Sequence, residues 1–552
     1  MIFAGYIVKR VALPLLAWGS LCKTEALASA GFENVITLAP PPSDCEALVD
    51  AGLAEIVFLP TNPAYDESLT YYWSATTRDV KPSCFLQPRS TEDVAQALRA
   101  LSKTSGVDDV AIRSGGHSPW ASNNIAGGVT FDLSLFNQVV YSGDTHVASI
   151  GPGAKWGPVM LEIEKYNRTV TGGRVGDVGV GGLLLGGGLS FYTGKRGLAC
   201  NDVVNFEVVL ANGSVIDANA KENPGLFKAL KGGSNNFGIV TRFDMLTFEA
   251  TPGGIYGGPN SFAYDHKESL LNTFVRMIDI NEKNIADTAF LLLVFNSPGP
   301  ASITIMEINT DGLENSTSFA PLRDVPVTFR DLKRQTYGEL ITEYQQAAGF
   351  RKVWFTLCFK NDVDIMNKAA SLWEELTAKA EIVFPGGGWG LQMVFQPLAK
   401  FYSQVGGGQN VLGLDESLNH DSVIWLADAT LTTSEQEAYF QDVMGDLTER
   451  LEAYTVEKGG NTQWRYLNYA NPSQDPLRTY GEDNVRLMKE VAAQYDPDGF
   501  FQERVSSGFK LSKVDGGCSA LRAQETDMSL YIFGKGSTEA RELIPILFMQ
   551  LS

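Results

Sequence analysis

The sequence predicts an α+β fold, in which a glycine-rich first half is followed by an antiparallel sheet that helices cover. Three observations predict this fold class. A strand, a capped helix and a second strand lead into a glycine turn at Gly115-Gly116. The segment from Thr171 to Gly188 then holds nine glycines in eighteen residues. Beyond Thr251 glycine becomes sparse, and strand-like runs alternate with amphipathic helices.

The elements of the first half follow from capping residues and hydrophobic spacing. A buried strand at Cys84–Pro88 precedes Ser90, whose hydroxyl is placed to cap a helix. A strand at Val110–Arg113 then enters the glycine turn. Ala211-Asn212-Gly213 predicts a type I′ hairpin turn. We expect further strands at 128–133, 147–153, 205–210 and 214–218, and helices at 44–54, 156–166 and 224–230.

The second half predicts a sheet with helices packed on it, and a closing segment. We expect strands at 288–295, 303–308, 353–359 and 422–426, and helices at 266–278, 366–380, 434–454 and 482–494. The tail at 512–552 shows no clear pattern. A chain of 552 residues exceeds what one core usually serves, so we expect about two to four domains.

Charge, cysteine content and histidine spacing limit the classes of partner and ligand that we expect. The net charge of -20 argues against nucleic acid and anionic membranes, which both favour an excess of Lys and Arg. The six cysteines form no CxxC pair, and the four histidines show no metal-ligand spacing, so we expect no metal site. Cys45 and Cys84 could pair in an oxidising compartment.

The N-terminus resembles a secretion signal. Lys9-Arg10 precede the apolar run Val11–Trp18, and Ala26-Leu27-Ala28 offers a cleavage site. We therefore predict a signal peptide at 1–28 and an N-terminal arm at 29–66; the alternative is an N-terminal helix. The secretory route is also indicated by glycosylation sequons at Asn167, Asn212 and Asn315.

Three glycine turns carry the functional signal. They lie at Gly115-Gly116, within 171–188, and at 232–238, each beside a predicted strand. Successive bare amides form concave anion sites that suit a pyrophosphate. The sequence has no GxGxxG opening a βαβ helix, no GxxxxGK[ST] and no GxSxG. These absences argue against a Rossmann dinucleotide site, nucleoside triphosphate hydrolysis and an esterase.

Together the motifs resemble the berberine-bridge-enzyme-like family of FAD-linked oxidases, and its fungal members in particular. The resemblance extends from Tyr71 to Leu511. The motifs that carry it are Pro82-Ser83-Cys84, Arg113-Ser114-Gly115-Gly116-His117-Ser118, Gly186-Gly187-Gly188-Leu189-Ser190, 232–240, Asn468-Tyr469, Tyr495-Asp496-Pro497 and Phe501-Gln502. It implies a two-part PCMH-type FAD-binding domain of the vanillyl-alcohol-oxidase type at 67–250, a substrate domain at 251–463, and a segment at 464–511 that returns to the FAD domain.

The resemblance also implies roles for single residues. His117 matches the histidine that bonds the C8 methyl group of the flavin, and Cys45 with Cys84 matches the family's disulfide. The remaining cofactor-binding residues that it implies are Arg113, Ser114, Gly115, Gly116, Ser118, Val178, Gly179, Gly181, Gly182, Gly238 and Val240.

Two departures from the family pattern and one position that agrees with it matter. Many relatives attach the flavin a second time through a cysteine where this chain has Val175, so we predict FAD with one covalent link. Val178 stands at the position of the oxygen gatekeeper, and valine there is associated with oxidases. Asn201-Asp202 inverts the usual Asp-Asn order, which leaves both residues without an assigned role.

The implied activity is that of a secreted oxidase. It would remove a hydride from a small organic substrate of specialised metabolism and reduce O2 to H2O2. Tyr469 matches a tyrosine that faces the flavin and would act as the base, and Gln396 is a candidate substrate contact. Two alternatives remain, a carbohydrate oxidase and a flavin-binding protein without turnover. Val175 disfavours the first, and Tyr469 disfavours the second unless it is a core tyrosine.

Overall fold

A computed structural model describes residues 43–104, 109–406 and 409–514. The predicted signal peptide, residues 29–42 of the N-terminal arm and the tail beyond 514 lie outside the described residues. Among the residues described, no helix is long and apolar enough to cross a membrane. The side chains of Asn167, Asn212 and Asn315 are exposed, and glycosylation at these sites stays a prediction.

The first sheet has four strands and contains the predicted βαβ unit. Val57–Phe58 runs antiparallel to Cys84–Leu86, and the other neighbours are parallel. The Ser90 hydroxyl accepts from the backbone of Asp93 and so caps the helix Thr91–Leu101. The glycine turn therefore follows the carboxyl end of a parallel strand. The order across the sheet is Val57–Phe58, Cys84–Leu86, Val129–Asp132 and Val110–Arg113.

A disulfide joins the helix Asp44–Leu48 to this sheet. Cys45 and Cys84 are bonded, with their Cα atoms 6.1 Å apart. The predicted pairing is therefore confirmed. The other described cysteines, Cys200 and Cys358, are free and buried.

The second sheet is antiparallel and includes the predicted hairpin, but the turn type differs from the prediction. A type I′ turn needs a positive φ at both central residues. Gly213 has a φ of 78°, whereas Asn212 does not have a positive φ. The Gly213 amide donates to Leu210 O at 2.8 Å, which makes a three-residue loop with glycine in the left-handed position. The strands, in order, are Val139–Ser142, Val147–Ile150, Ile239–Leu246, Val203–Val209 and Val215–Asn219.

The third sheet has nine strands, and on its central strands successive side chains point to opposite faces. On Ser422–Leu431, the side chains of Trp425 and Ala427 pack under the helices, while Leu426 points to the opposite face. The order is Val327–Arg330, Ile255–Ala263, Ser302–Asn309, Asp287–Ser297, Trp389–Leu398, Ser422–Leu431, Arg351–Lys360 and Asn461–Thr462, with Lys333–Gln335 also paired to Ile255–Ala263. A separate two-stranded ladder pairs Arg168–Thr169 with Phe248–Glu249.

Three long helices cover one face of the nine-stranded sheet, namely Lys267–Asp279, Val363–Val383 and Ser434–Glu457. These helices bury every second side chain along the strands. The remaining side chains point to the opposite face, which lies toward the glycine-rich half. The other helices are Pro63–Thr70, Ala75–Arg78, Trp156–Glu164, Val180–Leu185, Thr193–Arg196, Pro224–Leu230, Tyr337–Glu343, Leu414–Ser417, Glu482–Tyr495 and Phe500–Glu503.

Candidate active site

A cavity of about 310 Å³ lies between the glycine turns and the bare face of the nine-stranded sheet. All three glycine turns contribute to its wall, as does the segment 466–470. The sheet contributes Trp354 and Leu426. The cavity is therefore the place where the motifs that are separated in sequence come together.

The first two glycine turns touch through their backbones. A Cβ atom on Gly115 would lie 2.3 Å from the Cα of Gly179, and one on Gly179 would lie 2.5 Å from the Cα of Gly115. Ser114 ties the turns together, since its Oγ donates to Pro152 O and accepts from the Gly181 amide at 3.2 Å. Neither glycine can carry a side chain, so the cavity wall here is bare backbone.

The third turn completes that wall. Gly238 and Val240 line the cavity at the start of the strand Ile239–Leu246 and just within it. A Cβ on Gly238 would lie 2.5 Å from Val208 Cγ1, so this position also requires glycine. Gly116, Ser118, Val178 and Gly182 are further lining residues.

His117 lines this cavity and has an unpaired ring nitrogen. Its Nε2 is buried and has no hydrogen-bond partner among the described residues. The imidazole stacks on the Trp73 ring, with centroids 4.3 Å apart and planes 12° apart. Burial lowers the pKa of His117 to about 3, and the charges of Lys155 and Lys352 act in the same direction. The ring is therefore neutral near pH 7, and a lone pair remains on one nitrogen.

Tyr469 lies within a hydrogen-bonded group of three side chains. The Arg174 guanidinium donates to the Tyr469 oxygen at 2.9 Å and to Gln396 Oε1 at 2.5 Å. The Tyr469 hydroxyl donates to the same Gln396 oxygen at 3.3 Å. Sequence reasoning missed Arg174. The signal that could have found it is a single long cationic side chain within the run of glycines.

The wall opposite the glycine turns is aromatic and apolar. Trp354 and Leu426 line the cavity and form one buried cluster with Trp73 and Val394, and Tyr469 packs against this cluster. The Trp354 ring meets Tyr469 edge to face, with centroids 5.6 Å apart. This part of the cavity wall is therefore apolar, as ligand sites in proteins usually are.

The structure does not bring two predicted residues to the cavity surface. Arg113 is fully buried, where it pairs with Asp132 and donates to Ser68 O, and it does not line the cavity. It therefore anchors the turn from behind. Gln396 is 2% exposed and does not line the cavity either. It reaches the site only through Tyr469 and Arg174. Among the residues described, no cluster of three His, Cys, Asp or Glu could hold a metal ion.

Comparison with known proteins places this geometry among flavoproteins. The FAD binding domain family matches residues 82–219. The FAD-dependent monooxygenase drtC of Aspergillus calidoustus is 35% identical over 484 residues, which cover 85% of this chain and 90% of that protein.

Two solved structures share the fold at low sequence identity. 6-hydroxy-D-nicotine oxidase from Arthrobacter nicotinovorans has a TM-score of 0.68 at 22% identity, covering 82% of this chain and 97% of that one. Glucooligosaccharide oxidase from Acremonium strictum, which carries a 6-S-cysteinyl, 8α-N1-histidyl FAD, has a TM-score of 0.66 at 20% identity. That alignment covers 87% of this chain and 100% of the oxidase.

Proposed function

The chain belongs to the berberine-bridge-enzyme-like FAD-dependent oxidoreductases, and from that premise we propose that it oxidises a small aromatic or otherwise apolar substrate and passes the electrons to O2. Its fold is of the vanillyl-alcohol-oxidase type. One observation carries the proposal: His117, whose Nε2 has no hydrogen-bond partner, and Tyr469 line a single cavity, which also has bare glycine backbone and the apolar side chains of Trp354 and Leu426 in its wall.

The residues present fit an FAD. The backbone contact between Gly115 and Gly179 leaves amides without side chains at the cavity wall, which suits a pyrophosphate. Ser118 adds a hydroxyl that also accepts from Ser122 at 2.7 Å. Apolar residues that also line the cavity, among them Val178 and Leu183, suit a flat ring system. When bound, FAD would accept a hydride from the substrate and return the electrons to an acceptor.

His117 is the proposed point of covalent attachment. A neutral imidazole with a free nitrogen is the form that can bond a flavin methyl carbon, and burial keeps His117 in that form. Stacking on Trp73 fixes the plane of the ring. Val175 lines the same cavity and offers no thiol for a second bond, so the proposal is a single link.

We expect His117→Ala to abolish covalent attachment completely, because no other described side chain in the cavity offers a histidine or cysteine nucleophile. The measurement is flavin fluorescence of the protein band after denaturing electrophoresis. His420→Ala is the matched control, since His420 lies outside the cavity and bonds Ser422, and its band should remain fluorescent. Fluorescence that survives in His117→Ala would overturn the assignment.

Val178 is the proposed control point for oxygen. Its side chain is partly buried and lines the cavity, and its carbonyl accepts from the Trp156 amide at 3.0 Å, which holds the backbone in place. We expect Val178→Leu to slow reoxidation of the reduced flavin by O2, since the extra methylene narrows the approach. Stopped-flow mixing of photoreduced enzyme with oxygenated buffer measures that rate, and an equal rate in both proteins contradicts the role.

Peroxide release tests the reaction type. A panel of benzylic alcohols, phenolic polyketides and oligosaccharides should give H2O2 with an aromatic member, because the sheet wall presents Trp354 and Leu426. Oxygen labelled with ¹⁸O distinguishes the proposed oxidase from a monooxygenase, the activity named for drtC of Aspergillus calidoustus. Label in the organic product, rather than in peroxide, would identify oxygen insertion. Peroxide with oligosaccharides alone would support the carbohydrate oxidase.

A secretory route is part of the proposal. The disulfide between Cys45 and Cys84 is a feature of oxidising compartments, and the three sequon asparagines are exposed. A mass shift after treatment of the secreted protein with an N-glycosidase would test it.

A further inference from the structure

Arg174 carries a positive charge to the oxygen of Tyr469 and is held there from several sides. Tyr337 Oη donates to the carbonyls of Gly172 and Gly173 at 2.7 and 3.2 Å, which fixes the backbone just before Arg174. The guanidinium lies 5.2 Å from the centroid of the Phe290 ring. The side chain therefore cannot swing away from Tyr469 without losing packing and hydrogen bonds together.

The charge of Arg174 is not balanced by its described neighbours. Its two hydrogen bonds go to uncharged oxygens, those of Gln396 and Tyr469. Three other tyrosines lie close enough to interact with the charge, and burial raises the pKa of each above the ordinary tyrosine value; they are Tyr337, Tyr402 and Tyr466. Those three phenols stay neutral. A partly buried cation without a counterion stabilises the anionic form of a neighbouring group that can lose a proton.

We propose that Arg174 is a positioning residue that stabilises Tyr469 as the phenolate, the form that accepts a proton from the substrate. The inference rests on the proposed role of Tyr469 as the base. The proton moves from a substrate O–H or N–H to the Tyr469 oxygen, which becomes a neutral phenol. Arg174 transfers nothing itself, because a guanidinium stays protonated in proteins.

The geometry shows why the cation acts on Tyr469 rather than on a different tyrosine. Tyr466 is a titratable group that also faces Tyr469, with ring centroids 4.8 Å apart and planes at 86°. Its hydroxyl is engaged elsewhere, since it accepts from the Leu189 amide and from Asn468 Nδ2. The Arg174 contact at 2.9 Å is also shorter than the 3.3 Å bond from Tyr469 to Gln396.

Ultraviolet titration of the holoenzyme tests the inference without a substrate. The difference between wild type and Tyr469→Phe isolates the tyrosinate signal of Tyr469. In Arg174→Gln, that signal should appear at higher pH by about one to two units, the size of one hydrogen bond to a charged group. Arg174→Lys should restore part of the shift, because lysine keeps the charge but lacks the planar guanidinium whose Nη2 donates both hydrogen bonds. A midpoint that does not move in Arg174→Gln, or a Tyr469 that stays protonated in both proteins, would overturn the inference.

The control is Arg168→Gln. Arg168 is also partly buried and also donates to uncharged oxygens, those of Thr247, but it lies outside the cavity. Its replacement should leave the Tyr469 signal in place.

Peroxide release with the benzylic alcohol or phenolic polyketide that the panel identifies gives a second readout. Arg174→Gln should slow turnover in wild type and have no further effect in a Tyr469→Phe background. A slower rate in both backgrounds, or a rise in KM alone, would show that Arg174 binds substrate instead. Full turnover in Tyr469→Phe would show that Tyr469 is not the base. That result would contradict the proposed role of Tyr469, and not only the role of Arg174.

Discussion

Replacing Tyr469 with phenylalanine is expected to slow substrate oxidation by about 10²- to 10⁴-fold, the range that general base catalysis supplies. The substitution removes one oxygen and leaves the ring against Trp354 and Tyr466. Flavin content should therefore stay unchanged while turnover falls. Initial rates of peroxide release, with flavin absorbance as the measure of enzyme, separate the two quantities.

Tyr495→Phe is the matched control for this experiment. Tyr495 also loses a single hydroxyl that donates one hydrogen bond, to Asn223 Oδ1 at 2.9 Å, and it lies outside the cavity. Its rate should remain within about a factor of two of wild type, since Tyr495 does not line the cavity and the loss of about 1 kcal/mol of stability leaves the protein folded. If Tyr469→Phe turned over as fast as Tyr495→Phe, another group would have to be the base.

Gly179→Ala should leave a protein that binds little or no FAD. The added carbon would lie 2.5 Å from Gly115 Cα and 2.6 Å from Gly115 N, and backbone on both sides leaves no flexible side chain to move away. The two turns must separate, which displaces the bare amides of the cavity wall. Overpacking of this kind costs about 1–3 kcal/mol of folding stability. The flavin-to-protein absorbance ratio and the thermal midpoint measure the two effects.

Gly143→Ala is the matched control, because it replaces a glycine by alanine at a position where the added carbon has no contact. An added carbon at Gly143 would meet no atom within 4 Å, so colour and thermal midpoint should match wild type. A Gly179→Ala protein with a full complement of flavin would show that contact between the two turns is not required for binding.

The local sequence pattern correctly predicted the helices whose hydrophobic residues are regularly spaced. The capped helix Thr91–Leu101 and the long helices of the second half have the spacing and capping residues that an isolated segment can reveal. The strands Ile255–Ala263 and Trp389–Leu398 were missed. The first contains Gly257, Gly258 and Pro259, which disfavour a strand locally, yet strands pair with it on both sides. Tertiary pairing outweighed propensity there.

The site residues that belong to a short sequence motif could be predicted. The site residues that meet only through contacts between distant segments could not. The glycine turns and His117 could be found because few residue types fit such positions. Arg174 could not, since its partner Tyr469 is 295 residues away in sequence and the contact exists only in the folded chain. Arg113 shows a further limit of the sequence, because the resemblance implied a cofactor contact, whereas the side chain turns inward to Asp132.

The two walls of the cavity come from different parts of the chain. Backbone turns within residues 114–240 build one wall, and side chains on separate strands of the nine-stranded sheet build the other. Positions such as Leu426 can be exchanged without touching a glycine turn, so the proposed substrate contacts can diverge, or be redesigned, while the proposed cofactor contacts stay unchanged.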